Sequence, residues 1–176
     1  NGPSRPPRRR AVAAPIPARR DDSLWTRTSF PIIVNRVSTS QRALAPEIST
    51  WPDDEPQLIG STCATCGATT FPVQRHCPKC SGADMSEVRL PRRGTLVAWT
   101  TQGFPPGPPY KGPTGKDFVP FGVGLVQLDD VIRVEGRLTE NDPAKLEFGQ
   151  EVELTMVPFT TDEDGTEVMT FAFQPA

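Results

Sequence analysis

Four cysteines constrain this chain more than any other feature. All of them lie within 18 residues, as two Cys-x-x-Cys pairs: Cys63 with Cys66, and Cys77 with Cys80. Each pair lets two thiolates reach one ion from a tight turn, and two such turns complete a tetrahedron. The spacing therefore predicts one structural Zn²⁺, and four sulfur ligands leave no coordination position for a substrate. In peptides such a site contributes on the order of 10–16 kcal/mol, enough to order a ribbon with almost no core.

Other uses of the cysteines fit the sequence less well. Two disulfides would suit an exported protein, but nothing marks the chain for export, and cytoplasmic thiols stay reduced. A thioredoxin-like redox motif requires a helix in a β-α-β setting, which the sequence does not predict. Iron is less favoured but stays open, because four thiolates bind either metal, and an iron-loaded ribbon would indicate electron transfer. His76, the single histidine, is not needed to complete the ligand set.

The charge of the chain is divided unevenly. Residues 1–46 carry nine arginines against two aspartates, and residues 47–176 carry ten basic against nineteen acidic residues, giving +7 and −9. The first segment is rich in arginine and proline and lacks apolar periodicity, so we expect it to be disordered. An arm for anionic surfaces and a targeting peptide are the functional alternatives. Because the first methionine is Met85, a further hypothesis is that residues 1–36 are not native.

The rest of the chain is predicted to be mostly β. Proline (21) and glycine (14) are so frequent that short strands joined by turns are favoured over a helical bundle. We predict strands over 94–101, 119–128, 131–138, 150–157 and 167–173, with a short helix after residue 142. Five strands, with that helix before the last two, indicate a small OB-type barrel, an open β-sandwich being the alternative. The predicted order is a rubredoxin-like zinc ribbon at 47–92 and the five-stranded barrel at 93–176.

One long connection stands out in the second half. Gln102–Phe118 carries five prolines and four glycines, and a loop of this length without secondary structure usually binds something or is disordered. Phe104 and Tyr110 are candidate anchors on a partner, and Lys111 and Lys116 are candidate contacts for a phosphate or carboxylate. The alternative interpretation is a mobile proline-rich loop with solvated lysines.

No catalytic set emerges from the sequence. There is no nucleophile motif, no phosphate-binding loop and no second histidine, and the acidic residues at 129–130 and 162–164 fall in predicted turns. No apolar run approaches the roughly 20 residues that a membrane-spanning helix requires. We therefore expect a non-catalytic, cytoplasmic protein without a membrane segment.

The order of these motifs resembles a known family, the zinc-ribbon/OB-fold proteins called domain of unknown function 35. The similarity runs from about residue 58 to residue 175. The matching residues are Cys63, Cys66, Gly67, Phe71, Pro72, Cys77, Pro78, Cys80, Gly94, Thr95, Val126, Leu128 and Asp129. In that family a longer amphipathic helix commonly precedes the ribbon, whereas the prolines of Pro46–Pro56 predict that here it is short or absent.

The resemblance implies a function for the chain. Members of the family are usually non-catalytic partners of thiolase-like enzymes, in some cases aldolases or hydratases, that act on acyl-CoA in lipid metabolism, including steroid degradation and isoprenoid precursor synthesis. It thus implies an accessory subunit of a thiolase-like protein, whose barrel helps to bind acyl-CoA.

Single-stranded nucleic-acid binding is the alternative function, since zinc ribbons and OB folds both support it. That activity needs a basic groove with stacking aromatic side chains. Residues 47–176 instead carry a net charge of −9 and a single tyrosine, so nucleic acid is the less favoured partner.

Overall fold

The computed structural model describes residues 40–176. Most of the Arg/Pro-rich segment predicted to be disordered, and the hypothesis that residues 1–36 are not native, lie outside the described residues. The described part contains no helix that is long and apolar enough to cross a membrane.

The described residues form nine strands in two sheets. The strands are β1 (Gln41–Ala43), β2 (Ile59–Cys63), β3 (Thr69–Thr70), β4 (Met85–Arg89), β5 (Arg93–Gln102), β6 (Phe121–Leu128), β7 (Ile132–Leu138), β8 (Glu151–Thr161) and β9 (Glu167–Pro175). The first sheet has the order β1-β9-β7-β6-β5-β8, and β8 also pairs with β9. That additional pairing closes β5 to β9 into a five-stranded barrel, which confirms the predicted OB-type fold.

A bulge in β5 decides which side chains fill the barrel. The register of β5 against β6 shifts between Leu96 and Ala98, so Trp99 pairs with Gly124 and packs against the core. With strict alternation from Leu96, the side chain of Ala98 would point into the barrel. The bulge adds one residue to β5, so Trp99 points inward instead of Ala98. The interior is then filled by aliphatic side chains and Phe173, among them Leu96, Val126, Val134, Leu138 and Leu154.

The strand ends differ slightly from the predicted ones, and proline explains two of the differences. Pro120 has no N–H to donate, so β6 begins at Phe121 rather than at residue 119. β8 continues to Thr161 because Pro158 lies at a second bulge, where the register against β9 shifts between Pro158 and Thr160. The predicted hairpin turn follows, with Gly165 at φ +86°.

The predicted helices are single turns of 3-10 helix. Pro143–Lys145 forms the turn between β7 and β8, and its N-terminus is capped by the Asp142 side chain, which accepts a hydrogen bond from the amide of Ala144. Pro46–Ile48 forms another turn before the ribbon, which agrees with the expectation of a short helix there. A third turn, Gly115–Asp117, lies in the long connection between β5 and β6.

Residues 41–43 correct one prediction. The charge boundary assigned them to the disordered segment, but they form β1, which adds in parallel to β9 through the pairs Gln41–Glu167 and Ala43–Met169. The guanidinium of Arg42 also donates two hydrogen bonds to the carboxylate of Asp162, at 2.7 and 3.1 Å. Composition missed this strand because its partner is more than 120 residues away.

The second sheet is the ribbon. β2 lies between β3 and β4 and is antiparallel to both. β3, which lies between the two cysteine pairs in sequence, is only two residues long. At its end, the hydroxyls of Ser61 and Thr70 form a buried hydrogen bond of 2.8 Å.

Ribbon and barrel share one apolar core. Leu58 and Leu90, which flank the ribbon sheet, are fully buried and belong to the same cluster as the barrel side chains. The Phe71 ring of the ribbon meets Phe171 of β9 edge-to-face at 5.8 Å, and Phe171 meets Phe173 at 6.1 Å. These contacts explain why an aromatic residue follows β3.

Gly136 on β7 makes room for this aromatic contact. A Cβ at this position would lie 2.8 Å from a ring carbon of Phe171 and 2.9 Å from one of Phe173. We predict that Gly136→Val lowers the free energy of unfolding by about 2 kcal/mol, because the two rings must move out of their packed positions. Urea unfolding measures it. Gly103→Ala is the control, since its added Cβ meets no atom within 4 Å. Equal stability of Gly136→Val and the wild type would contradict this packing.

Candidate functional site

The four cysteine sulfurs converge on one point. All of them lie within 4.8 Å of one another, with 3.6 Å between the sulfurs of Cys63 and Cys80 and 3.5 Å between those of Cys66 and Cys77. A tetrahedron with metal–sulfur distances of about 2.3 Å has edges of about 3.8 Å, so the set fits one metal ion. The cysteines are free thiols, and these separations are far longer than a disulfide bond.

The two cysteine turns have the same backbone geometry. The amide of Cys63 donates to the carbonyl of Ala68 and the amide of Gly67 to that of Cys63, at 2.9 Å each. Fourteen residues later the same pattern recurs: Cys77 to Gly82 and Ser81 to Cys77, at 2.8 Å each. Gly67 and Ser81 therefore occupy equivalent positions, and both have positive φ, at 70° and 58°. A glycine thus occupies this position in the first turn, and a serine occupies it in the second.

Backbone amides prepare the sulfurs to bind a cation. Burial opposes ionisation of Cys63, but the amides of Cys66 and Thr65 donate to its sulfur and lower its pKa to about 6. The amide of Gly82 acts in the same direction on Cys80, yet the neighbouring sulfurs of Cys66 and Cys63 outweigh it and raise the pKa of Cys80 to about 12. Four adjacent thiolates thus repel one another, and a dication at their centre offsets that repulsion.

The site is built for structure rather than for substrate. Four sulfurs fill a tetrahedral shell, and Cys63 and Cys77 are buried with 1% of their surface exposed. His76 is exposed and does not belong to the sulfur cluster. The cluster lies at the end of β2 that is remote from the Leu58 core, so it fixes a part of the ribbon that contributes little apolar burial.

Removal of one thiolate tests the ligand set. We predict that Cys77→Ser abolishes metal binding and unfolds the ribbon, because a serine hydroxyl does not replace a buried thiolate ligand. Plasma mass spectrometry measures the metal, and amide NMR spectra report on the ribbon. His76→Ala is the matched control and should keep a full complement of metal. Full metal occupancy in Cys77→Ser would show that the four-sulfur assignment is wrong.

The equivalence of the two turns is separately testable. Gly67→Ala places a side chain at positive φ and should lower the free energy of unfolding of the metal-loaded chain by about 1 kcal/mol. Ser81→Gly removes a side chain from that conformation and should raise it by about 0.5 kcal/mol. Urea unfolding measures both. Shifts of the same sign in the two variants would mean that the turns are not equivalent.

The long connection between β5 and β6 is fixed to the barrel at two points. Tyr110 is half-buried and meets Phe159 of β8 edge-to-face at 5.6 Å, and Phe118 meets Phe121 at 6.1 Å. Between β5 and the first of these points, Phe104 is 72% exposed. Lys111 and Lys116 are also exposed. The structure thus places the four predicted contact residues on one loop, but their role stays a prediction.

A cleft lies beneath this loop and contains a residue that the sequence did not single out. Two adjoining cavities of about 300 and 190 Å³ share Val119, Phe121, Arg137 and Pro158 in their walls, and we call them the loop cleft. The guanidinium of Arg137 lies over the Phe121 ring, 4.6 Å from its centre. Alternation along β7 places Arg133 and Arg137 on the same outward face, so no sequence signal separates the two.

Family models match both halves of the described chain. Residues 50–86 match the model described as "ChsH2, rubredoxin-like zinc ribbon domain", and residues 87–157 match "ChsH2, C-terminal OB-fold domain". A DUF35 domain-containing scaffold protein of Pyrococcus furiosus is 31% identical over 121 residues, which span 68% of this chain and 83% of that protein. The chain belongs to the DUF35 family.

Two further similar proteins are named as parts of enzymes. The benzoylsuccinyl-CoA thiolase subunit BbsA of Thauera aromatica is 29% identical over 131 residues, covering 73% of this chain and 85% of that subunit. Among solved structures, the Ltp2-ChsH2(DUF35) aldolase is similar with a TM-score of 0.50 and 25% identity, over 68% of this chain and 84% of that one. The resemblance drawn from the cysteine spacing and the strand order is thereby confirmed.

Proposed function

We propose that this DUF35 protein is a non-catalytic accessory subunit that assembles with a thiolase-like enzyme and helps to hold the acyl-CoA substrate. The relatives support the proposal, since one is named as a scaffold protein, one as a thiolase subunit and one as part of an aldolase. Steroid or other lipid metabolism is the corresponding pathway class.

The observation that carries the proposal is an exposed apolar loop that is already held in place. Phe104 and Val119 are 72% and 68% exposed, although both lie on a connection that Tyr110 and Phe118 fix to the barrel. Prolines lower the entropy lost when such a loop binds. Exposed aromatic side chains on a preorganised loop are typical of interface hot spots rather than of a solvated linker.

The outward face of β6 extends this surface. Phe121, Val123 and Leu125 point away from the barrel interior, and all three are half-buried by the single chain. On the neighbouring strand β5, Gln102 pairs with Phe121 and Thr100 pairs with Val123. Because the long connection follows Gln102, this outward face lies next to the start of the loop. A strand that is apolar on both sides of a small barrel indicates that a second surface covers the outer side in an assembly.

The metal centre fits a supporting role. We propose Zn²⁺ as the ion, since it takes four thiolates in a tetrahedron without redox chemistry, and a colourless preparation would separate it from iron. The free thiols that the centre requires suit the reducing cytoplasm. The lysines Lys111 and Lys116 supply positive charge for the phosphates of an acyl-CoA.

Affinity capture with a matched pair of variants tests the assembly. The tagged full-length chain should recover, from lysate of its source, a protein identified by mass spectrometry as thiolase-like. Phe104→Ser should then weaken binding of that purified partner at least tenfold without changing urea unfolding, because it removes an exposed aromatic contact.

Phe148→Ser provides the control, since Phe148 is equally exposed, at 77%, but lies on another loop against Trp99. Failure to recover any thiolase-like protein, or equal effects of the two substitutions, would contradict the proposed function.

A further inference from the structure

Positive charge in the barrel is concentrated at one place. Residues 93–176 carry thirteen acidic and only six basic side chains. Arg93 and Lys145 pair with Glu153 and Glu140, at 3.6 and 3.1 Å. Three of the remaining four cations, Lys111, Lys116 and Arg137, belong to the loop cleft or to the loop that covers it.

Arg137 is the cation inside the cleft. Neither Arg137 nor Arg133, on the same face of β7, forms an ion pair with any residue from 40 to 176. Arg133 donates a 2.8 Å hydrogen bond to the side chain of Gln127, and among the described residues Arg137 has no such partner. The Phe121 ring holds the guanidinium through a cation–π contact at 4.6 Å. Stacking on a ring leaves the in-plane N–H groups of a guanidinium free to bind an oxyanion in bidentate fashion.

Aromatic side chains line the smaller of the two cavities. Tyr110, Phe118 and Phe159 line the smaller cavity together with Phe121, and their edge-to-face contacts hold the rings apart rather than stacked on one another. Asp117 is the one carboxylate in this wall. Lys111 follows Tyr110 and Lys116 precedes Asp117, so both lysines are chain neighbours of residues in the cavity wall.

We infer that the loop cleft binds a phosphorylated planar heterocycle, with the ring among the phenylalanines and a phosphate on Arg137. The inference rests on the proposed function and narrows it: the cleft takes the adenine nucleotide half of a CoA thioester, and the acyl chain extends toward the partner enzyme. Arg137 contacts the phosphate, and the exposed Lys111 and Lys116 supply charge at the rim.

The same charges argue against a nucleic-acid strand. Binding of single strands without sequence preference uses a basic groove along which several phosphates are neutralised. In this barrel most of the positive charge that residues 40–176 leave unpaired lies at the loop cleft and its covering loop. At the other end of β6, Asp129, Asp130 and Glu151 line a separate cavity. The positive charge is sufficient for the phosphates of one nucleotide, whereas a longer nucleic acid that followed β6 would reach these carboxylates.

Calorimetric titration of the full-length, metal-loaded chain tests the inference. The probes are CoA, adenosine 3′,5′-bisphosphate, pantetheine and a short oligothymidylate. We expect CoA and the bisphosphate to bind with similar affinity, and pantetheine, which lacks the ring and the phosphates, not to bind. Arg137→Met keeps the packing on Phe121 but removes the charge, and should weaken binding of both nucleotides at least tenfold. Arg133→Met, the control on the same strand face, should change it less than twofold.

Three results would overturn the inference: no binding of either nucleotide at millimolar concentration, equal losses in the two arginine variants, or tighter binding of oligothymidylate than of CoA. The last would identify a single-stranded nucleic acid as the ligand. Capture of the thiolase-like partner is measured on the same variants. If the wild-type chain captures the partner but binds neither nucleotide, the cleft is rejected as a CoA site and the accessory role is kept, whereas failed capture by the wild-type chain rejects the accessory role itself.

Discussion

Convergence of four thiolates on one point is the interaction on which the rest of the structure depends. The ribbon has three short strands, and its own buried side chains are few, so apolar burial alone does not fix the two cysteine turns. Backbone amides aimed at the sulfurs, and positive φ at Gly67 and Ser81, shape both turns for a cation. Once the turns are fixed, Phe71 lies where it meets Phe171, and the ribbon becomes a rigid extension of the barrel.

The barrel in turn determines what the chain presents to other molecules. Closure through β8 and β9 buries the aliphatic interior, and the bulge beside Leu96 brings Trp99 onto the core. The connection between β5 and β6 is then left on the surface, fixed by aromatic contacts rather than by hydrogen-bonded strands. A barrel that carries an exposed apolar loop beside a cluster of four sulfurs fits the accessory role that we propose.

Features that depend on residues close together in sequence were predicted, whereas features that depend on pairing between distant strands were not. The cysteine spacing predicted the convergence of the four sulfurs, and the strand predicted over 131–138 agrees with β7, because both patterns depend on neighbours in sequence. β1 was missed because its partner is β9, and three residues carry no periodicity of their own. The sequence also could not distinguish Arg137 from Arg133, since only the fold places Phe121 beneath one of them. The sequence did not predict the bulge in β5 either, because the register shift depends on how β5 pairs with β6.

The most direct test of this account is X-ray absorption spectroscopy at the metal edge of the purified full-length chain. We predict one zinc ion per chain with four sulfur neighbours at about 2.3 Å and no oxygen or nitrogen ligand. A chain that folds with metal-free thiols, or a metal shell containing a water or an imidazole, would contradict it.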